Sequence, residues 1–325
     1  MQTIKRLLAG LISLLLITAS VPMASAQSAP TGSGLSISPT ISQFTIDPGG
    51  SKSLTITLKN VTVDDVTAQG LVNDFVGDGV TGNPKIITDP NQTTPNSIKK
   101  FVSNIDDVPL KKGEQKNIII ALDVPKNTPP GAYFGIIRYK AVPTAALKAA
   151  PGQVALTASV GTVVLITVPG NLRQQVQLAG VHVYRGSHDG SLFFTKPNKT
   201  GVEIKNLGNG FIQPFGTVEI QNTFGKSVGS YQFNNPKQLG NILPNSSRIF
   251  TSSISGIKQP GRYKVTANVS YDGGSQVLSA TKTIWYIPTW LAVLVLVLLL
   301  VIIFLTYRAY RRYRYDNRHS FRRDR

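Results

Sequence analysis

The sequence predicts an all-β protein made of two tandem immunoglobulin-like β-sandwich domains, with an N-terminal signal peptide and one C-terminal transmembrane α-helix. Three observations indicate this fold class: period-two apolar residues through the middle of the chain, a strand-and-turn pattern that occurs twice, and a long uncharged apolar run near the carboxyl end. We place the signal peptide at residues 1–26, the two domains at 27–170 and 171–284, the helix at 285–307 and an arginine-rich tail at 308–325.

The first segment has the order of parts that is typical of a secretory signal peptide. Lys5 and Arg6 precede the apolar run Leu7–Ala19, and the small residues Ala24 and Ala26 follow it. A charged start, a short apolar core and small residues at the cleavage point are read by the export machinery and then removed. We therefore predict cleavage after Ala26. An uncleaved signal anchor is the alternative.

The middle of the chain alternates apolar and polar residues, which favours half-buried antiparallel strands. Ser53–Lys59, Lys116–Val124 and Tyr263–Val269 each place their apolar residues on one face. Val154–Val168 is apolar almost throughout and is predicted to be a central strand of the first domain. Thr144–Ala150 could form a single helical turn, and we expect the domain junction near residue 170.

A repeated pattern supports two copies of one domain. A Pro-Gly pair comes shortly before Tyr133 and again before Tyr263, and a Lys-Asn pair ends an apolar strand at Asn60 and at Asn206. Proline and glycine preset the turn, and the ring then anchors the following strand in the core. We interpret this pattern as a structural device of each sandwich.

The apolar run Ile287–Tyr307 is long enough to cross a membrane, about 30 Å at 1.5 Å per helical residue. The tail after it contains eight arginines and two aspartates. Because cytoplasmic flanks hold the excess of Lys and Arg, we predict a single-pass cell-membrane protein with an extracellular ectodomain and a cytoplasmic C-terminus.

Two sets of residues are predicted to lie at the membrane interfaces. Aromatic rings prefer the headgroup level and arginines mark the inner face. The predicted interface residues are Trp285, Tyr286 and Trp290 outside, and Arg308, Arg311 and Arg312 inside. The tail either orients the helix or also binds anionic lipid, and the sequence leaves both readings open.

The amino-acid composition indicates which compartment and which classes of partner to expect. The chain has no cysteine and a formal net charge of +18. An exported ectodomain without disulfides is typical of a bacterial or archaeal surface protein. The basic residues are spread out and not clustered with aromatics, so we predict no nucleic-acid partner. The expected partners are the lipid bilayer and, as two further candidates, an anionic wall polymer such as peptidoglycan and a surface protein.

No motif in the sequence points to catalysis or to a cofactor. His182 and His188 lack a nucleophile or metal-ligand pattern, and we predict no catalytic residue and no cofactor. Asp74 and Asp78 are weak candidates for calcium, as are the pairs at 64–65 and 106–107. Turn chemistry explains these Asp-Gly and Gly-Asn sequences equally well.

Four local motifs lie within residues 39–140: Phe44 with Pro48-Gly49, then Leu54–Asn60, Val124-Pro125, and Gly131 with Gly135-Ile136-Ile137. In these motifs, and in the architecture of the whole chain, the sequence resembles the WxL-interacting proteins, surface proteins of Gram-positive bacteria. The resemblance implies two immunoglobulin-like domains on a membrane helix, with peptidoglycan bound by the first domain and a WxL-type surface protein by the second. It assigns no binding residue in this chain.

The expected function is that of a membrane-anchored adaptor that binds cell-wall polymer, another surface protein, or both. The alternatives are a passive stalk or envelope-assembly subunit and, with less support, a tethered enzyme. An adaptor predicts a contiguous apolar patch or an open strand edge, and a stalk predicts evenly polar faces. An enzyme predicts a deep pocket lined by carboxylates or by His182. The ligand-binding residues cannot be named from the sequence.

Overall fold

The computed structural model describes residues 34–89, 91–103, 105–143, 159–234, 240–271 and 276–320. Within these ranges the chain consists of strands β1 to β19 and one carboxy-terminal helix, α1 (Thr289–Ser320). The predicted signal peptide with Ala24 and Ala26, and the predicted turn at Thr144–Ala150, lie outside the described residues.

The first half of the described chain packs two sheets face to face. A three-stranded sheet has the order β1-β3-β8, and a five-stranded sheet has the order β2-β10-β9-β4-β7, with a separate hairpin β5-β6. The strands are β1 (Leu35–Ser38), β2 (Ile41–Thr45), β3 (Ser51–Asn60), β4 (Val66–Asn73), β5 (Phe75–Gly77), β6 (Pro84–Ile86), β7 (Val108–Leu110), β8 (Gln115–Asp123), β9 (Gly131–Pro143) and β10 (Ser159–Val168).

Period-two spacing explains the core of this sandwich. Leu54, Ile56 and Leu58 on β3 are buried, and Ile120 and Leu122 lie beside them on the antiparallel neighbour β8. Successive side chains of a strand point to opposite faces, so these residues share one face and meet the five-stranded sheet. The strands predicted at Ser53–Lys59 and Lys116–Val124 are confirmed.

The second half forms another pair of packed sheets. Their orders are β12-β11-β14-β17 and β13-β19-β18-β15-β16, around a separate apolar core. The strands are β11 (Val176–Arg185), β12 (His188–Asp189), β13 (Leu192–Phe193), β14 (Lys199–Asn206), β15 (Phe215–Asn222), β16 (Ser227–Phe233), β17 (Ser246–Ser253), β18 (Gly261–Tyr271) and β19 (Gln276–Tyr286). We call the two halves the first and second domain.

The repeated tyrosine has the same hydrogen bond in each domain. The hydroxyl of Tyr133 donates to the carbonyl of Pro129 at 3.0 Å, and that of Tyr263 donates to the carbonyl of Gln259 at 2.7 Å. Both rings are buried where β9 and β18 begin. Each ring therefore ties the start of its strand to the turn before it.

The repeated asparagine is buried in each domain and holds a loop in place through its side-chain hydrogen bonds; we call this residue the buried pin of its domain. Asn60 donates to the carbonyls of Asp64 and Lys111, at 2.8 and 3.1 Å. Asn206 donates to the carbonyls of Gly210 and Ile242, at 2.8 and 3.0 Å. Both side chains are fully buried. Each side-chain amide thus supplies hydrogen bonds to loop carbonyls that water would otherwise have to bond.

The boundary between the second domain and the helix differs from the sequence prediction. Trp285 and Tyr286, predicted to open the helix at the membrane interface, are the last residues of β19, and Tyr286 is buried in the core. Pro288 ends the strand because it has no N–H, and its carbonyl accepts the first bonds of the helix, from Leu291 at 3.0 Å and Ala292 at 3.1 Å. The helix begins at Thr289.

Helix α1 is long and apolar enough to cross a membrane over Thr289–Arg312, judged by length and composition. The side chains in its central apolar stretch are exposed rather than packed against the domains. Arg308, Arg311 and Arg312 lie on the same continuous helix, which extends to Ser320. Residues 289–307 of the helix predicted at 285–307 therefore lie within α1, and residues 285–288 precede it.

Candidate binding cleft between the two domains

The five-stranded sheet of the first domain is apolar on both faces. Phe134 and Ile136 on β9 and Leu165 on β10 point away from the first core and are buried all the same. Phe211 and Leu243 of the second domain pack against them, and the rings of Phe134 and Phe211 are 6.2 Å apart. The second domain therefore covers part of this outer face.

Hydrogen bonds join the domains beside this contact. The amide N–H of Ala132 donates to the carbonyl of Asn209 at 2.8 Å, and the side-chain Nδ2 of Asn209 donates to the carbonyl of Pro130 at 3.1 Å. Asn209 lies in the loop that Asn206 pins. The same buried pin that shapes the second domain therefore also places its contact with the first.

A hairpin of the first domain forms the other end of the interface. The tip between β5 and β6 lies along the edge strand β17: the carbonyl of Val80 accepts from Ile249 N at 2.8 Å, and that of Gly79 accepts from Ser247 Oγ at 3.0 Å. Gly82 has a φ of +79°, and a Cβ there would lie 2.5 Å from Nε of Arg248. The positive φ therefore favours glycine, and a side chain at this position would displace the end of Arg248.

Asp78 organises this hairpin tip. Its Oδ1 accepts the backbone N–H groups of Val80, Thr81 and Gly82 at 3.0, 2.8 and 2.8 Å, and Oδ2 accepts the Thr81 hydroxyl. The Thr81 hydroxyl bond, with the backbone bonds, lowers the pKa of Asp78 to about 2. Both oxygens accept hydrogen bonds of the turn, which is the turn chemistry that the sequence offered as the alternative to a calcium site.

Asp74, the other calcium candidate, is buried at the base of the same hairpin. Oδ1 accepts the Ser97 hydroxyl at 2.6 Å, Oδ2 accepts the N–H of Thr94 at 2.9 Å, and Nζ of Lys99 is 4.0 Å away. Base and tip are separate, so the structure does not bring Asp74 and Asp78 together. Among the described residues, no three His, Cys, Asp or Glu side chains are grouped so that they could hold a metal ion.

An open cleft lies beside the apolar contact, with two connected regions of about 520 and 810 Å³. Edge strand β2 and the outer face of β10 line it from the first domain, and the segments at 211–215 and 241–248 line it from the second. Ile41 on β2 is 54% exposed in this cleft. Its lining includes Ile41, Gln43, Thr45, Leu165, Phe211, Gln213, Phe215, Asn241, Leu243 and Arg248.

Strand β2 offers an open edge to the cleft. In the described residues β2 pairs with β10 alone, in parallel, and its other side has no neighbour. Val163 N donates to Thr40 O at 2.9 Å, and Ile46 N donates to Thr167 O at 3.1 Å. Because bonding direction alternates along a strand, the N–H and C=O of Gln43 point to the open side.

The chemistry of the cleft is that of amides on an apolar base. Gln43, Gln213 and Asn241 line it, and Arg248 is the charged member of the described lining. The Oδ1 atom of Asn241 is buried and accepts no hydrogen bond from the described residues. Burial lowers the pKa of Arg248, and Asp78 opposes that shift. A neutral ligand that supplies donors and acceptors in a row matches this lining.

The second domain carries an ion cluster that the sequence did not reveal. His182, predicted to lack partners, has Nδ1 2.7 Å from Asp189 Oδ2 and Nε2 3.1 Å from Glu203 Oε2. Lys282 Nζ donates to Asp189 Oδ1 at 2.9 Å. Burial raises the pKa of Asp189, but the bonds from His182 and Lys282 outweigh it and leave the pKa below its usual value. Neither ring nitrogen of His182 is open to another group.

The cleft residues were missed from the sequence, although a signal for them exists. In Ala132–Tyr139 of β9 and Val163–Val168 of β10, apolar residues occupy both faces rather than alternating with polar ones. A strand apolar on both faces is covered on both sides. The two runs therefore indicate a second packing surface, but they do not say which residues cover it.

Comparisons with known proteins add no assignment. No family model and no curated protein matches the chain. Solved structures similar to it include the class 5 fimbriae chaperone CfaA (13% identity, 77% of this chain and 99% of that chain, TM-score 0.39) and the E. coli chaperone DraB (15%, 76% and 97%, 0.34). A PapD-like domain of human CEP192 is also similar (16%, 45% and 93%, 0.28). These TM-scores are below 0.5 and assign no function, and the WxL-interacting resemblance stays a prediction.

Proposed function

We propose that this chain is a single-pass, membrane-anchored adaptor of the cell surface whose interdomain cleft binds an extended segment of another surface protein. In this proposal both domains are immunoglobulin-like sandwiches outside the cell, the arginine-rich end of α1 is cytoplasmic, and the protein is not an enzyme. The resemblance to WxL-interacting proteins supports the same role, with a surface protein as the partner.

The open edge of β2 inside the cleft is the observation that carries the proposal. A partner strand added there would pair with the outward N–H and C=O groups of Gln43. Its side chains would alternate between the apolar base near Leu165 and the amides of Gln213 and Asn241. A donor from the partner would also bond Oδ1 of Asn241, which accepts no bond within the part of the chain that the structure describes; pairing such a buried group is worth about 1–3 kcal/mol.

The composition of the cleft favours a polypeptide over an anionic wall polymer. A polyanion is recognised by clustered cations, and Arg248 alone is charged in the described lining. The contiguous apolar surface also favours an adaptor over a passive stalk. Peptidoglycan and a ligand-free stalk, the other expectations from the sequence, become outcomes of the test.

The test is photo-cross-linking on intact cells. A photoreactive amino acid replaces Ile41 in the cleft, and a matched probe replaces Ile119, which is 72% exposed on β8 of the first domain. We expect a discrete protein adduct from position 41 that is absent from position 119. A protease-resistant glycan adduct would identify wall polymer instead, and no adduct specific to position 41 would favour the stalk.

A pair of substitutions tests strand addition itself. Gln43→Pro removes the outward N–H from β2, whereas Gln43→Ala removes only the side chain. In the Ile41 probe background, we expect the proline variant to lose most of the adduct and the alanine variant to retain it. Equal adduct from both variants would show that the partner does not pair with the β2 edge.

A further inference from the structure

We infer that the α1-side end of the second domain is itself a lipid-binding surface, which binds anionic headgroups of the outer leaflet. The inference rests on the proposed insertion of α1 in a membrane, but not on the adaptor function. Four connecting segments form this end, at residues 185–188 (the turn with its strand-end residues Arg185 and His188), 194–198, 223–226 and 254–260, and we call them the membrane-facing loops.

Strand register places these loops at one end. Tyr263 pairs with both Asn222 and Ile284, so the ends of β15 and β19 and the start of β18 lie in one row. Phe224 lies two residues beyond Asn222, as Tyr286 lies two beyond Ile284. The turn that carries Phe224 is therefore level with the last residue before the helix linker.

The remaining loops join the same row through hydrogen bonds. Strand β13 runs parallel to β19, with Phe193 opposite Tyr286, so Phe194 follows on the helix side. The N–H of Ile254 donates to the carbonyl of Asn198 at 2.9 Å, and the N–H of Gly186 donates to Asn198 Oδ1 at 3.4 Å. These bonds bring loops 185–188, 194–198 and 254–260 together.

The distance to the membrane is short. Residues 287 and 288 alone separate Tyr286 from the start of α1 at Thr289. Three Cα steps span at most about 10 Å. A headgroup layer is about 5–8 Å thick on each side of the hydrocarbon core. With Trp290 at the headgroup level, the membrane-facing loops reach the lipid surface.

The side chains at this end match that surface. Phe224 is 92% exposed at the tip of its turn, and Leu192, Phe194 and Trp285 are each about half exposed. A large apolar ring fully exposed to water is stabilised when it enters the headgroup boundary. We therefore expect these exposed aromatic side chains to contact the headgroup region of the bilayer that α1 crosses.

Charge at this end points to anionic lipid. Arg185, Lys196, Lys226 and Lys258 lie in the membrane-facing loops, and Arg262 follows them on β18; the four loops contain no Asp or Glu. Lys282, which lies outside these loops, is by contrast paired with the carboxylate of Asp189. Five cations beside exposed aromatics are attracted to a negative surface within a Debye length.

The test measures the depth of position 224 in the full chain. Because the chain has no cysteine, Phe224→Cys gives a single site for a nitroxide, and Ile119→Cys is the matched control in the first domain. Each labelled protein is placed in nanodiscs of neutral phosphatidylcholine or with about one third phosphatidylglycerol. Collisions of the nitroxide with oxygen, which is concentrated in lipid, report contact with the bilayer, and collisions with a water-soluble nickel chelate report exposure to water.

We expect the ratio of oxygen to nickel accessibility at position 224 to exceed that at position 119 several-fold in anionic discs, and less in neutral discs. Adding Lys226→Gln and Arg262→Gln should return it toward the control value. The charge-matched pair Lys111→Gln and Lys112→Gln, in the first domain, should leave it unchanged.

Three results would overturn the inference. Nickel accessibility at position 224 equal to that at 119 in both discs would place the loops in water. Shielding from both reagents would indicate a protein contact, such as a second copy. Equal depth in neutral and anionic discs would remove the role of charge. None of these results depends on the cross-linking at Ile41, so this inference and the proposed function can fail separately.

Discussion

Replacing the buried pin Asn206 with alanine should destabilise the second domain and disturb one wall of the cleft. The side chain is fully buried, and its Oδ1 accepts the N–H of Gly208 at 2.9 Å in addition to the two bonds that Nδ2 donates. The loop it holds leads to Phe211 and Gln213, which line the cleft. Asn206 therefore connects the stability of the fold to the geometry of the site.

The magnitude follows from the groups that lose a partner. Alanine leaves Gly208 N and Gly210 O without a hydrogen bond, whereas Ile242 O still accepts Ile212 N at 3.2 Å. Each buried unpaired group costs about 1–3 kcal/mol, so we expect the free energy of unfolding to fall by about 3 kcal/mol. With a urea slope of about 2 kcal/mol per molar, the midpoint falls by about 1.5 M.

The assay is urea unfolding of the full chain in detergent micelles, followed by tryptophan fluorescence. Both tryptophans, Trp285 and Trp290, lie in or next to the second domain, so the signal reports that domain. Asn60→Ala is the matched control, because it removes the equivalent pin from the first domain. We expect it to shift the tryptophan midpoint by less than about 0.3 M. A shift that small for Asn206→Ala would refute the role of the pin.

Three further predictions concern the core and the domain interface. Tyr263→Phe removes one hydrogen bond and should lower the stability of the second domain by about 1 kcal/mol, measured by the same urea midpoint. Asp78 has a folded pKa of about 2 against an ordinary 3.8, so its stabilisation of the hairpin tip is present above pH 3.8 and is lost as the pH falls through about 2. In that pH range the distribution of distances between a nitroxide in each domain, measured by pulsed electron resonance, should broaden. If the same broadening occurs at the same pH in Asp78→Asn, a group other than Asp78 causes it. Gly82→Ala should broaden the same distance distribution at neutral pH, because the added Cβ displaces Arg248. Gly113→Ala is the control: this glycine has a φ of +74° and no atom within 4 Å of an added Cβ, so the substitution should add comparable backbone strain but leave the distribution unchanged.

The β-rich fold could be predicted because its signals are local. Leu54, Ile56 and Leu58 alternate with polar residues, and that alternation places them on one face whatever the rest of the chain does. The Pro-Gly turn before Tyr133 and before Tyr263 is also a local signal, and it predicts a structural role for both rings; in the structure each hydroxyl donates to a carbonyl four residues earlier. Local patterns therefore predicted the strands and the character of the repeat.

The helix boundary shows where a local pattern is ambiguous. Trp285 and Tyr286 belong to an uncharged run, which suits the start of a membrane helix and the end of a buried strand equally well. The structure places them in β19, opposite Arg262 and Gly261. Pro288 was the available signal, since proline ends a strand and suits the first turn of a helix.

The cleft could not be predicted because it depends on contacts between distant residues. Leu165 and Phe211 meet only when the two domains adopt a particular orientation. Likewise His182 finds Asp189 and Glu203 through strand pairing, which no spacing in the sequence specifies. Tertiary register, not residue type, brings these groups together.

The outward position of the cleft is the premise of the proposed function, and thiol labelling on intact cells tests it most directly. Since the natural chain has no cysteine, Ile119→Cys and His319→Cys each give one reactive site. A membrane-impermeant maleimide should label position 119 on intact cells and position 319 only after the cells are permeabilised. Labelling of position 319 on intact cells, with position 119 protected until lysis, would contradict the proposal.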